Sequence, residues 1–248
     1  MKVSIITATY NSASTVADTL DCIANQSYAE IEHIVIDGLS TDETLKIVRK
    51  FPHVDKIISE KDQGIYDAMN KGITQASGEI IGILNSDDFY PNTDVIQNVV
   101  NAFKTQKVDS IYGDLQYIDQ AKNQKVIRYW RAGNFKTDGF LWGWMPPHPT
   151  FFVRKSIYEK FGLFDLNLKS AADYELMLRF LHKEKISTHY LSQVLVKMRT
   201  GGQSNATLKN RLLANREDRL AWKRNDLTPF FFTTWLKPLR KINQFFVG

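Results

Sequence analysis

The chain has 248 residues, 43% of them hydrophobic and 24% charged, the balance of a globular protein with one large α/β domain or a domain plus a small appendage. Its one cysteine, Cys22, excludes an intrachain disulfide framework or a cysteine metal cluster within these residues and reads as a small core residue. The net charge of +5 lies in the tail, since residues 201–248 hold 9 Lys/Arg against 3 Asp/Glu and the other 200 hold 23 against 24; such a tail suits anionic lipid or phosphate-bearing substrates, and no nucleic-acid motif accompanies it.

In chain order, a strand is predicted over 3–8, then a helix over 14–26 with Val16, Leu20 and Ile23 on one face and Ser12 or Ser14 as cap. A strand over 32–37 follows, then a helix over 41–50 with Ser40 as cap and Glu43 in capping-box position. A strand over 54–59, a helix over 65–76, a strand over 79–85 and a helix over 93–106 complete the first half. Alternation at this spacing means a mainly parallel sheet with helices on both faces. The pattern then changes: strands over 110–114 and 126–131 flank a turn at Lys122-Asn123, and a stiff loop, Met145-Pro146-Pro147-His148-Pro149, precedes a strand over 150–154. A helix over 172–182, a strand over 190–199, a helix over 208–224 and a short helix after Pro238 end the chain.

Parallel strands share direction, so the strand ends at Thr7-Ala8-Thr9, Asp37-Gly38 and Asn85-Ser86-Asp87-Asp88 fall on one sheet edge, where open α/β sheets bind ligands. Paired acids there repel unless a cation sits between them and a substrate, and a hard divalent ion on carboxylates commonly also holds a diphosphate. The competing reading of Asp87-Asp88 is a plain turn or helix start.

Segments along the chain shift that balance. Val3-Ser4-Ile5-Ile6-Thr7-Ala8-Thr9-Tyr10-Asn11, Val35-Ile36-Asp37-Gly38-Leu39-Ser40-Thr41-Asp42, Lys61-Asp62-Gln63-Gly64-Ile65-Tyr66-Asp67, Asn85-Ser86-Asp87-Asp88, Pro147-His148, Ala171-Ala172-Asp173-Tyr174-Glu175 and Arg199-Thr200-Gly201-Gly202-Gln203-Ser204 occur in this order. In this the chain resembles the family 2 glycosyltransferases, inverting, nucleotide-sugar-dependent enzymes of GT-A fold, from residue 3 to about 205. The resemblance implies a GT-A domain over 1–205, with a nucleotide-binding half (1–107) and an acceptor-side half (108–205), and a basic, amphipathic helical tail over 206–248. It implies Asp37 as the carboxylate that reads the base, a uridine donor being the better choice over guanosine. Thr7 and Thr9 line the nucleotide pocket, Asp62 lies on the nucleotide side, Asp87 faces donor sugar hydroxyls and Asp88 binds Mg²⁺ or Mn²⁺. Asn85 or Ser86 stands where the family's acidic motif usually begins with Asp. It further implies Asp173 as catalytic base, Arg199 closing on the diphosphate, and His148 holding the metal-diphosphate or the sugar.

Trp142 and Trp144, flanking Gly143, either stack on sugars or join the core. The tail places Leu239, Ile242 and Phe246 on one helix face beside Lys237, Arg240 and Lys241. It either lies on an anionic membrane or docks on its own domain or a second copy. The expected activity is transfer of a sugar from a nucleotide-sugar to a glycan or lipid-linked acceptor in surface polysaccharide synthesis, by a cytoplasmic or peripheral membrane protein. No segment reads as a signal peptide or bilayer span, and the oligomeric state is left open. A sugar nucleotidyltransferase would need a Gly-rich phosphate loop where Asn11-Ser12-Ala13-Ser14 stands, and a non-catalytic scaffold would show no turnover.

Overall fold

A computed structural model describes residues 1–119, 125–200, 208–240 and 244. The expected turn at Lys122-Asn123, the Gly201-Gly202-Gln203-Ser204 segment, and Lys241, Ile242 and Phe246 of the tail lie outside the described residues.

The first half follows the predicted order: β1 (Val3–Thr9), α1 (Val16–Ala24), β2 (Ile31–Asp37), α2 (Thr44–Val48), β3 (Val54–Ser59), α3 (Ile65–Gln75), β4 (Ile80–Ile83), β5 (Asp88–Phe89) and α4 (Val95–Gln106). The second half adds β6 (Ser110–Asp119), β7 (Lys125–Trp130), β8 (Phe152–Arg154), α5 (Lys155–Phe161), α6 (Ala172–Met177), β9 (Thr188–Arg199), α7 (Leu208–Arg224) and α8 (Thr233–Leu239). One mixed sheet runs β3-β2-β1-β4-β8-β6-β9-β5, with β7 on β6. Strands β1 to β4 pair in parallel, whereas β8 enters antiparallel between β4 and β6.

Every residue of β1 is buried, as a central parallel strand covered on both faces requires. Alternation assigns the faces: Ile6, Ile34 and Ile36 pack with Met69 and Ile73 of α3, while Val3, Ile5 and Ile80 pack with Val99 and Phe103 of α4. Full burial of each such aliphatic side chain contributes roughly 1.5–3 kcal/mol. Cys22 is half-buried beside this layer; its Sγ accepts from Tyr90 N at 3.3 Å, and burial raises the thiol to about 12.

The helix starts depart from expectation. Neither Ser12 nor Ser14 caps α1; the Ser12 carbonyl accepts from Val16 N instead. Helix α2 begins at Thr44, whose N–H is taken by Asp42 Oδ1 at 3.0 Å, because Ser40 is committed to Asp37. Helix α5 and the two-residue β5 are additions to the predicted elements. Past Met177, α6 widens into a π-helical turn over Leu178–Lys183.

The short helix of the tail, α8, starts at Thr233, takes in Pro238 and ends at Leu239; most of the stretch after Pro238, where a helix was expected, lies outside the described residues. A proline at 238 has no N–H for the Thr234 carbonyl one turn back, and Asn215 Nδ2 of α7 donates to that carbonyl instead at 3.1 Å. Helices α7 and α8 pack against the second half of the sheet domain: Trp222 is buried and donates to Tyr174 OH at 2.8 Å, and Thr233 Oγ1 donates to Leu141 O at 2.7 Å. Among the described residues no helix is long and apolar enough to cross a membrane.

Candidate active site

Strands β1 and β2 end side by side, Thr9 opposite Asp37. Asp37 has no exposed surface, and its carboxylate accepts from Ser40 N at 3.0 Å, from Ser40 Oγ, and from Ser59 Oγ at 2.7 Å. These bonds fix the loop after β2. Asn11, held at φ +48°, accepts from Thr41 N at 2.8 Å and donates its own N–H to Ser40 Oγ, tying the loops after β1 and β2 together. A second carboxylate in this corner, half-buried, belongs to Asp62. Its Oδ1 accepts from Gly64 N at 2.9 Å, and Oδ2 occupies the space a β-carbon on residue 38 would need, so Gly38 is required for the close approach. The Tyr10 ring, 61% exposed, stands beside the same glycine. Thr7, expected in the pocket, is fully buried with its hydroxyl 3.0 Å from His33 Nε2. Thr9 Oγ1 is buried and has no hydrogen-bond partner among the described residues.

The acidic segment separates its two acids. Pairing of Asp88 with Met198 in β5–β9 turns Asp88 inward, where it is fully buried; Thr19 Oγ1 donates to its carbonyl at 2.7 Å, and Asn85 Nδ2 to its Oδ2 at 3.2 Å. Burial and then the Asp87 charge raise the Asp88 carboxyl well above the usual range. Asp87 keeps part of its surface, and its pKa is raised by burial. Asp88 was expected to face a metal; its complete burial leaves Asp87 as the accessible acid. Arg199 was expected over a diphosphate, yet it is 6% exposed, donates from Nη1 to Asp87 O at 2.7 Å, pairs with Asp18 through Nη2 and lies over the Phe89 ring. Its guanidinium braces the acidic segment.

Asp173 is the second residue of α6. Tyr66 OH, from α3, donates to its Oδ1 at 3.0 Å, and His148 Nδ1 lies 3.2 Å from Oδ2, leaving the carboxylate side chain 17% exposed. Burial pushes this carboxyl up. The hydrogen bond and charge of His148, the Lys237 charge and the Tyr174 N–H outweigh it and hold the group well below the usual carboxylate range. His148, expected on the metal-diphosphate or sugar, thus engages the acid through Nδ1. The loop entering α6 is set from the tail: Glu217 of α7 accepts from Lys169 N at 3.1 Å and Ser170 N at 2.7 Å. Lys237 of α8 pairs with Asp218 at 2.7 Å, and its Nζ lies 3.9 Å from the Tyr174 ring centroid. Trp144 packs in the core and donates to Ala132 O at 2.8 Å, whereas Trp142, 47% exposed, lies against Phe230 and Phe232.

These stations form a chain of contacts. Asp37 adjoins Gly38, Gly38 meets Asp62, Asp62 opens the loop into α3, and Tyr66 of α3 reaches Asp173. Tyr117 feels the charges of both Asp88 and Asp173. Of the expected acids, Asp62, Asp87 and Asp173 keep exposed surface, whereas Asp37 and Asp88 are buried. Tyr10, Tyr66, Glu217 and Lys237 were not anticipated. Tyr10 and Tyr66 lie inside motifs already singled out, but nothing in their spacing points to a partner.

The family described as Glycosyl transferase family 2 matches residues 4–162. The chain belongs to this glycosyltransferase family. A PGL/p-HBAD biosynthesis glycosyltransferase of Mycobacterium bovis (strain BCG / Pasteur 1173P2) is 32% identical over 217 residues, 85% of this chain and 82% of that one. Among solved structures, S. aureus TarS 1-349 in complex with UDP-GlcNAc superposes with TM-score 0.70 at 20% identity, covering 99% of this chain and 73% of that one. Of the longer TarS chain this glycosyltransferase spans 41%. The mannosyltransferase PcManGT from Pyrobaculum calidifontis, in complex with GDP-Man and Mn²⁺, gives TM-score 0.65 at 18% identity, covering 96% and 72%. The fold of this glycosyltransferase is accordingly GT-A.

Proposed function

We propose that this glycosyltransferase moves a hexosyl or N-acetylhexosaminyl group from a UDP-sugar to a hydroxyl of a glycan or lipid-linked acceptor, in surface polysaccharide assembly, with inversion at the anomeric carbon. The observation that carries the reading is the carboxylate of Asp173, ionised, partly open and fixed from two sides by Tyr66 and His148. In the reaction, the acceptor oxygen attacks the anomeric carbon while its proton passes to Asp173. The bond from that carbon to the diphosphate oxygen breaks on the opposite face, and the nucleoside diphosphate leaves with the electron pair. A carboxylate held this acidic is a weak base, so proton transfer belongs late, after the forming bond has acidified the hydroxyl. Tyr66 and His148 keep the carboxylate in line, which is where most of their benefit lies.

The uridine preference rests on Asp62. Gly64 occupies Oδ1, so Oδ2 is left to accept one imide N–H, as uracil presents; guanine brings an additional amine. Tyr10 supplies a face for the base. The donor set at the acidic segment fits a hard cation: Asp87 is accessible, and Asn85 Oδ1 and Asp88 Oδ1 are buried oxygens with no hydrogen-bond partner among the described residues. No group of three or more His, Cys, Asp or Glu able to hold a metal occurs among the described residues, so Asp87 and Asn85 would share Mg²⁺ or Mn²⁺ with the donor's phosphates. Such an ion neutralises charge growing on the leaving diphosphate. For a lipid-linked acceptor, the aromatic knuckle of Phe230, Phe231 and Trp235, 44%, 88% and 60% exposed, offers contact with a membrane surface.

Thermal unfolding against a panel of nucleotide sugars, with and without Mn²⁺, tests the reading. A bound donor stabilises the native state by mass action. A rise for one UDP-sugar, larger with Mn²⁺, supports it; no response to any nucleotide ends it.

A further inference from the structure

Beyond the donor side lies a cavity of about 480 Å³ that none of the donor residues lines. Its walls come from the end of β7 (Tyr129, Trp130) and Arg131 just after it, from Trp144 in the loop leading to His148, and from Lys237 of α8 and Arg240 just past that helix. Two features connect it to the residues around Asp173. Met145, also on its wall, lies three residues before His148, which holds Asp173. Lys237, on the α8 wall, stands over the Tyr174 ring beside Asp173 and contributes to the acidity of that carboxyl.

The charge of this cavity is one-sided. Among the described residues no Asp or Glu lines it. Two carboxylates stand behind the wall and are already occupied: Asp114 accepts from Tyr129 OH at 3.1 Å, Tyr190 OH at 2.8 Å and Ala132 N at 2.8 Å, and Asp218 neutralises Lys237 at 2.7 Å. Arg131 and Arg240 remain. Both are exposed and neither pairs with a carboxylate among the described residues; Arg131 lies over the Tyr129 ring at 5.1 Å, and Arg240 Nη1 reaches only the Trp142 carbonyl, at 3.4 Å. A planar guanidinium fork suits a phosphate or carboxylate, and the indole rings of Trp130 and Trp144 on the same walls offer flat surface for a sugar ring. The volume falls within the roughly 300–1,000 Å³ of small-molecule sites.

We infer that this cavity is an acceptor subsite for an anionic saccharide, binding a phosphate or carboxylate on the acceptor through Arg131 and Arg240 while a neighbouring hydroxyl faces Asp173. The inference rests on the glycosyl-transfer reading and adds the chemical class of the acceptor. Because Arg240, the residue after α8, supplies one guanidinium, the site is complete only when the tail is docked.

Isothermal titration of the full chain with glucose 1-phosphate, glucuronate and glucose, without and with saturating UDP, tests it. At least one anionic sugar should bind about tenfold or more tightly than glucose, alongside UDP rather than in competition with it. The R131Q/R240Q double variant should lose about tenfold or more of that affinity while binding UDP as the native chain does. In the native chain the anionic affinity should also fall as salt rises, a readout that needs no variant. Equal affinity for charged and neutral sugars, no binding of any of the three, displacement by UDP, or an unchanged double variant would each overturn the subsite. Failure of UDP itself to bind would count against the donor reading only, and the sugar titrations would still decide the cavity.

Discussion

Asp173 owes its state to partners far away in sequence: Tyr66 lies 107 positions earlier and Lys237 comes from the last described helix. Replacing Asp173 by Asn removes the proton acceptor and leaves the donor corner intact; turnover should fall by about 10²–10⁴-fold with little change in donor affinity. The pH dependence has a definite sign. A carboxyl held below its usual range stays ionised to low pH, so the acid limb of kcat/KM attributable to it lies below the ordinary carboxylate range. His148→Gln removes a hydrogen bond and a charge that favour ionisation, and that limb should move to higher pH; a limb that stays put would show that His148 does not act on Asp173. Of these residues, Asp173 stands in the first turn of a helix as its motif suggested, but which of two neighbouring acids is buried was not legible. Adjacent acids in sequence look alike until strand pairing is known. The two-residue β5, too short for any periodic signal, is what turns Asp88 inward and Asp87 out. Likewise Gly38 beside Asp37 looked like turn chemistry, whereas its lack of a side chain admits the Asp62 carboxylate.

At the scale of elements, the parallel half was readable because its strands are β-branched runs and its helices carry regular apolar faces. In the tail, α7 has the expected bounds, Leu208–Arg224, but where it packs was not readable, since it is polar along much of its length and its Glu217 and Trp222 act on α6 and the loop before it, far from them in sequence. Docking of α8 depends on Gly143, which has φ +73° and where a β-carbon would sit 2.6 Å from Lys237 N. Gly143→Ala should therefore destabilise by about 1–3 kcal/mol in urea unfolding and loosen α8 first, seen as faster proteolysis of the tail. At the opposite edge of the sheet, Glu32 accepts from Ser4 Oγ at 2.5 Å and from Ser77 N and Oγ at 2.8 Å. Burial raises its pKa, but these bonds and Lys2 prevail and lower it from 4.5 to about 2. The stability it contributes is complete above its unfolded pKa and is lost as pH falls from about 4.5 towards 2. Glu32→Gln should be less stable at neutral pH, and its melting temperature should fall less steeply across that acid window.

For the whole molecule, the chain's positive charge was assigned from sequence to a tail lying on a membrane or on protein. Part of it is internal: Lys237 is consumed by Asp218 and Tyr174, so its replacement would disturb the catalytic side rather than membrane contact alone. The exposed knuckle of Phe231 and Trp235 is the better probe. A Phe231→Ser/Trp235→Ser variant should lose most co-sedimentation with anionic liposomes while keeping its melting temperature; undiminished sedimentation would remove the membrane contact from the account.

The central claim is that a sugar is displaced from a nucleotide donor with Asp173 as the base. Its most direct test is donor affinity and transfer rate measured side by side for the native chain and Asp173→Asn, with the UDP-sugar that most raises the melting temperature. The account predicts matching affinities and a rate at least about a hundredfold lower in the variant. Equal rates in the two proteins would contradict it.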